Sequence, residues 1–215
     1  MLTLANGERD VVKHVRPVGE PDIGRSDLEH VHPTDASREQ TRRMTPPDAA
    51  EQERLAARRD ELRAKHIAPP STRPTTNGRG IHHAALICSD VEQTIAFYQD
   101  LLGFPLIELV ENRDYPGSTH FFFDLGNNTL LGFFDFPGLG LEQLPEGIGG
   151  VQHIAIGVPP DIHADLRKKL DAAGIAYDGP QRGIVESIYL RDPDGIGVEL
   201  LSDELMWFGG KWLNK

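Results

Sequence analysis

The chain of 215 residues contains a single cysteine, Cys88, so no intrachain disulfide can form. Set in the run Leu86-Ile87-Cys88, it reads as a small buried hydrophobe rather than a nucleophile. Positive charge is scarce: 22 Lys and Arg face 33 Asp and Glu, a formal net charge of −11. A general nucleic-acid binder needs a basic footprint, so no nucleic-acid partner is expected. No apolar run approaches membrane-spanning length, and no membrane partner is expected. The first ten residues lack a basic stretch followed by an apolar one, which argues against a secretory signal and for a cytoplasmic location. What remains is ordinary globular composition, 39% hydrophobic, with room for one large domain or two small ones.

Residues 1–79 read as an arm and linker rich in charge, proline and scattered histidine. One helix is expected there, over about 47–65, where Pro47 and Asp48 suit a first turn and Ala, Glu, Arg and Leu favour helix. Its apolar stripe is thin, Leu55 and Leu62 with alanines. Pro69-Pro70 and Pro74 then mark an extended linker. Two readings of the arm stand side by side: packing on the domain or on a second subunit, or a mobile tail.

From Gly80 the chain becomes regular and repeats itself once. Ile81-His82-His83-Ala84-Ala85-Leu86-Ile87 opens one copy, and Val151-Gln152-His153-Ile154-Ala155-Ile156-Gly157 opens the next, 70 residues on. In the first copy a strand at 81–88 precedes a helix over 91–102. Ser89 is the expected N-cap, Glu92 completes a capping box, and Gly103 ends the helix. Strands follow at about 105–111, 118–124 and 129–135, the last two joined by the hairpin signal Gly126-Asn127-Asn128. The second copy gives a strand at 151–158, a helix over 162–173 stopped by Gly174, and strands near 175–178, 185–191 and 196–201. The fold class is therefore α+β: two tandem βαβββ modules (80–136 and 150–202) forming a cupped mixed sheet with helices outside. Residues 203–215 form an aromatic tail.

Strand parity assigns faces. Ala84 and Leu86 oppose His83 and Ala85, and Ile154 and Ile156 oppose His153 and Ala155. The more apolar set belongs under the helices, which sends both histidines to the concave side. In the last strand Val198 and Leu200 face the helices, so Glu199 points towards the histidines. Two imidazoles and one carboxylate suit Fe(II), Mn(II), Zn(II) or Ni(II), and three protein donors leave an octahedral ion with open positions. His83, His153 and Glu199 are thus the candidate ligands. His82 points the wrong way, although a one-residue bulge would exchange it with His83.

These motifs, with Ile95-Ala96-Phe97-Tyr98-Gln99-Asp100-Leu101-Leu102-Gly103-Phe104 and Ile188-Tyr189-Leu190-Arg191-Asp192-Pro193-Asp194-Gly195, resemble the vicinal oxygen chelate superfamily over residues 80–202. The superfamily includes glyoxalases, epimerases, fosfomycin-resistance transferases and extradiol dioxygenases. The resemblance implies a metal between the two modules, with His83, His153 and Glu199 at three ligand positions. Many members take a fourth ligand from the strand that here reads Thr129-Leu130-Leu131-Gly132-Phe133-Phe134, and no donor stands there. This counts against glyoxalases and epimerases. The His-His-Glu set is similar to that of type I extradiol dioxygenases and of fosfomycin-modifying transferases; the extradiol resemblance implies Fe(II) and a role for Tyr189 in binding substrate oxygens. The other reading of Tyr189 is a buried strand aromatic. Extradiol enzymes also carry histidines for proton transfer just upstream of this tyrosine and before the second ligand. Here Pro180-Gln181-Arg182-Gly183 occupies the first of these places, and His120 is the nearest replacement.

The lining of the cup is expected to be apolar and aromatic, with Phe121, Phe123 and Phe133 contributing rings and Arg182 a charge. Arg113, Arg182 and Arg191 are dispersed, which disfavours a phosphonate substrate. The expected partners are a small hydrophobic or aromatic molecule and a second copy of the chain. The function these features imply is an Fe(II) extradiol-type ring-cleaving dioxygenase. The alternatives are a non-redox metal-dependent isomerase, lyase or transferase, and a drug-binding resistance protein.

Overall fold

The computed structural model describes residues 46–69, 71–144, 146–182 and 185–202. The arm before residue 46 and the aromatic tail, including 206–212, lie outside the described residues. Helix α1 (Ala49–His66) starts two residues later than the sequence suggests, because Asp48 is its N-cap and accepts a hydrogen bond from the Glu51 backbone N–H at 2.9 Å. It buries none of its residues, as its thin apolar stripe implies. No described helix is long and apolar enough to cross a membrane.

The duplication is built as two four-stranded mixed sheets. Strands β1 (His83–Ile87), β2 (Leu106–Glu111), β3 (Thr119–Asp124) and β4 (Leu130–Phe134) take the order β1-β4-β3-β2. Strands β5 (Ile154–Val158), β6 (Asp178–Arg182), β7 (Glu186–Arg191) and β8 (Gly197–Ser202) take the order β5-β8-β7-β6. In each sheet the first strand runs parallel to the last, and the remaining pairs are antiparallel. Gly126, Asn127 and Asn128 all adopt positive φ in the β3–β4 connection, the backbone the hairpin signal called for.

Three local expectations are corrected. Asp90, not Ser89, caps the first module's helix: its Oδ1 accepts from the Gln93 N–H at 2.9 Å. Ser89 instead donates its backbone N–H to Asp194 Oδ2 of the other module at 3.0 Å. That helix, α2 (Val91–Ile95), continues as a π-helical segment over Ala96–Leu101. The widened turn brings the consecutive residues Phe97 and Tyr98 into the core. Finally, β6 lies at Asp178–Arg182 rather than 175–178. Ile175 is consumed in ending helix α3 (Pro160–Ala173), where its N–H reaches the Leu170 carbonyl at 3.0 Å.

The buried faces of the two sheets meet the helices. Phe121, Phe123, Leu131 and Phe133 meet Phe97, Tyr98 and Leu102 of the helical segment, while Ile156, Val198 and Leu200 meet Leu166 and Leu170 of α3. Both sets join one continuous apolar cluster. At about 1.5–3 kcal/mol for each fully buried side chain, this cluster holds the two modules together. The opposite faces stay open: His83, Ala85 and Ile87 are exposed on the first sheet, and Ala155 and Gly157 on the second.

Candidate metal centre

The second module assembles a donor pair. Glu199 sits at the middle of β8, in register with Ala155 of β5 on one side and Tyr189 of β7 on the other. Its neighbours Val198 and Leu200 are buried, so the carboxylate emerges on the open face. His153 lies one residue before β5. Its Nε2 stands 2.9 Å from Glu199 Oε2, and its Nδ1 meets the Gln152 side-chain oxygen. Two donors each about 2.1 Å from one ion and at right angles are about 3.0 Å apart, so this pair has the spacing of adjacent metal ligands. Tyr189 donates its hydroxyl to Glu199 Oε1 at 2.8 Å and lies edge-on to the His153 ring at 5.8 Å. The bond to Glu199, with some burial, holds the Tyr189 phenol above its ordinary pKa, so it is a neutral donor near pH 7.

Backbone packing fixes His153. A Cβ on Gly197 would come within 2.6 Å of the Gln152 carbonyl oxygen and 3.0 Å of His153 Cβ. Only glycine lets the Gln152-His153 segment lie this close to β8.

The first module presents its own residues on the equivalent face. Gly132 is in register with Ala85 and Phe122, as Glu199 is with Ala155 and Tyr189. His83 Nδ1 lies 2.9 Å from His82 Nδ1, so one of these nitrogens carries a proton and the other accepts it; Nε2 is the ring nitrogen left for an ion. His83 also meets Phe122 edge-on at 5.8 Å. His120 stacks on Phe134 at 3.7 Å and packs against Phe122 at 4.2 Å. Its Nε2 is buried and has no hydrogen-bond partner among the described residues. Burial, and then the nearby His83, hold this imidazole below its ordinary pKa.

The chain brings His153, Glu199 and Tyr189 together and places His83 and His120 together, but it does not unite the two groups. Among the described residues no three His, Cys, Asp or Glu side chains converge as a metal cluster. The pocket expectation for Phe121, Phe123 and Phe133 is corrected: all three are fully buried beneath the helix. The rings on the open face are Phe122 and Phe134, which the sequence reading placed on the wrong phase. A signal was present, because matching Gly132 to Glu199 already puts Phe133 on the opposite face. Arg182 ends β6 in register with Glu186, and its side chain lies outside the described residues.

A family model described as Glyoxalase/Bleomycin resistance protein/Dioxygenase superfamily matches residues 80–200. The chain is 24% identical over 127 residues to a putative ring-cleaving dioxygenase, MhqE, of Bacillus subtilis strain 168, covering 58% of this chain and 41% of that protein. It is 31% identical over 134 residues to a probable lactoylglutathione lyase of Vibrio parahaemolyticus, covering 60% of this chain and 94% of the relative. A solved putative dioxygenase from Bacillus subtilis superposes with a TM-score of 0.52 at 28% identity, over 58% of this chain and 41% of that one. The chain therefore spans about two fifths of the length of both dioxygenase relatives. With more than half of its length matched by the model, the chain belongs to the glyoxalase/bleomycin resistance protein/dioxygenase superfamily.

Proposed function

We propose that the protein is a divalent-metal-dependent enzyme of the extradiol ring-cleaving type, using Fe(II) on a small aromatic substrate that chelates through vicinal oxygens. The observation that carries this reading is the His153–Glu199 pair at ligand spacing, with Tyr189 bound to the carboxylate. His83 is the third ligand. A bound Fe(II) would lower the pKa of a chelated catechol's hydroxyls and carry electrons between ring and dioxygen. Glu199 supplies the compensating charge, and Tyr189 fixes which carboxylate oxygen stays available. His120, held below its ordinary imidazole pKa and packed beside His83 and Phe122, is the candidate proton acceptor on that face.

Among the described residues His83 does not join His153 and Glu199 in one cluster, and the open face of the first sheet carries exposed Ile87 and Val110. We read this as a site shared between two copies, His83 from one and His153 with Glu199 from the other. Burying those apolar residues favours the pairing. Mixing His83→Ala and His153→Ala proteins under subunit exchange should then restore a fraction of the metal sites, which neither variant forms alone.

The geometry speaks less for the alternatives. A lyase-like site would want a donor where Gly132 stands. A phosphonate would want free cations, yet Arg113 is paired with Asp114 at 2.8 Å and Arg191 with Glu146 at 2.6 Å. The test is anaerobic loading with Fe(II), Mn(II) or Zn(II), followed by oxygen uptake against a panel of catechols. Uptake with Fe(II) alone supports the dioxygenase; turnover without oxygen on Mn(II) or Zn(II) would replace it with a non-redox reaction.

A further inference from the structure

We infer that Phe122 is the residue that holds the site at three protein donors and gives it a flat aromatic wall, selecting ring-shaped substrates. The inference rests on the metal-centre reading above and adds a specificity determinant to it. It comes from comparing the two modules position by position. In the second, Tyr189 stands beside Glu199; in the first, the same register pairs Phe122 with Gly132. The carboxylate has become glycine, and the phenol has become a phenyl ring.

The ring occupies the space the missing side chain would need. A Cβ on Gly132 would lie 2.9 Å from Phe122 Cε1, 3.1 Å from Cδ1 and 3.3 Å from the Ala84 carbonyl oxygen. The Ala84 contact asks for a shift of only a few tenths of an ångström, whereas the Phe122 contact is too short for any side chain at 132 unless the ring moves aside. Neighbouring rings pack against Phe122. His83 meets it edge-on at 5.8 Å, and His120 packs on it at 4.2 Å while stacked on Phe134 at 3.7 Å. The consequence is an apolar, π-rich surface directly beside one proposed ligand. Planar rings gain from such contact through offset or edge-on packing, and an aliphatic chelator gains much less.

Two measurements decide it, each with circular dichroism and thermal melting to establish folding. Anaerobic Mn(II) titration compares the wild type with Gly132→Glu and with the double variant Phe122→Ala/Gly132→Glu. The single variant should melt lower and bind Mn(II) no more tightly. The double variant should bind it roughly tenfold or more tightly, since a direct ligand is worth at least as much as an outer-shell partner. If Gly132→Glu alone tightens Mn(II) as much as the double variant, the ring is not what excludes a fourth donor. The second measurement is binding of catechol to the Mn(II)-loaded protein without oxygen, and it stands even if the double variant does not fold. Phe122→Leu should weaken catechol by about three- to tenfold, the range of one aromatic contact, with Mn(II) affinity unchanged. Unchanged catechol affinity would overturn the wall. A wild type that binds no Mn(II) would instead overturn the underlying metal-centre reading, so the two failures are distinct.

Discussion

Tyr98, in the π-helical segment of the first module, donates its hydroxyl to Asp192 Oδ2 in the β7–β8 turn of the second, at 3.1 Å, with both residues buried. Asp192 Oδ1 accepts the backbone N–H groups of Asp194 and Ile196 at 3.0 and 2.8 Å. The turn that leads into β8, and so to Glu199, is thereby tied to the other module.

Burial raises the Asp192 carboxyl from 3.8 to about 6, against the lowering effect of its hydrogen bonds. Because the native state holds this proton more tightly than the unfolded chain, the stability it contributes is full below about pH 4. It is lost as pH rises through about 6. Asp192→Asn keeps the acceptor for the two backbone N–H groups and can donate to Tyr98. In urea denaturation between pH 4.5 and 7.5, the variant should gain stability relative to the wild type as pH rises. A difference that does not vary with pH would contradict the buried carboxyl.

Gly197 sets the position of His153. Gly197→Ala should cost about 1–3 kcal/mol in denaturant unfolding, the usual range for forced overpacking. In the folded fraction it should also weaken metal binding, because the Gln152-His153 segment must retreat from β8. Wild-type metal affinity in this variant would show that His153 does not depend on that approach.

Tyr189→Phe removes the donor to Glu199 Oε1 while leaving the ring edge-on to His153. The expected loss is about 10- to 100-fold in metal affinity, the scale of outer-shell partners. The stability change should stay within about 1.5 kcal/mol. Calorimetric titration and thermal melting read the two separately.

Phe133 and Phe122 lie on opposite faces of the same sheet. Phe133→Ala should destabilise the fold by about 3–5 kcal/mol, as removal of a fully buried ring does. Phe122→Ala, on the half-buried open face, should cost clearly less. Chemical denaturation of both variants checks the assignment, and equal costs would contradict it.

Much of this arrangement is legible in the sequence. The repeated histidines, the helix-ending Gly103 and Gly174, and the alternation around Glu199 give the order of elements along each module and the open face on which His83 and Glu199 lie. The misses have local causes. Ser89 and Asp90 are both good caps, and only the structure shows Ser89 engaged by Asp194. The run Ile175-Ala176-Tyr177 has strand character but packs its apolar side chains on the core as the helix ends. Phe121-Phe122-Phe123 carries rings on both faces, so hydrophobicity cannot set its phase; pairing with Gly132 can. The separation of His83 from His153 and Glu199 is a matter of how modules pack, which a repeat within one chain leaves open.

His83, His153 and Glu199 are proposed to hold one divalent ion. The direct measurement is metal content after anaerobic loading and desalting, for the wild type and for His83→Ala, His153→Ala and Glu199→Gln, each confirmed folded by circular dichroism. A single bound ion per chain is expected in the wild type, and its loss in all three variants. Retention of the ion in His83→Ala, His153→Ala or Glu199→Gln would contradict it.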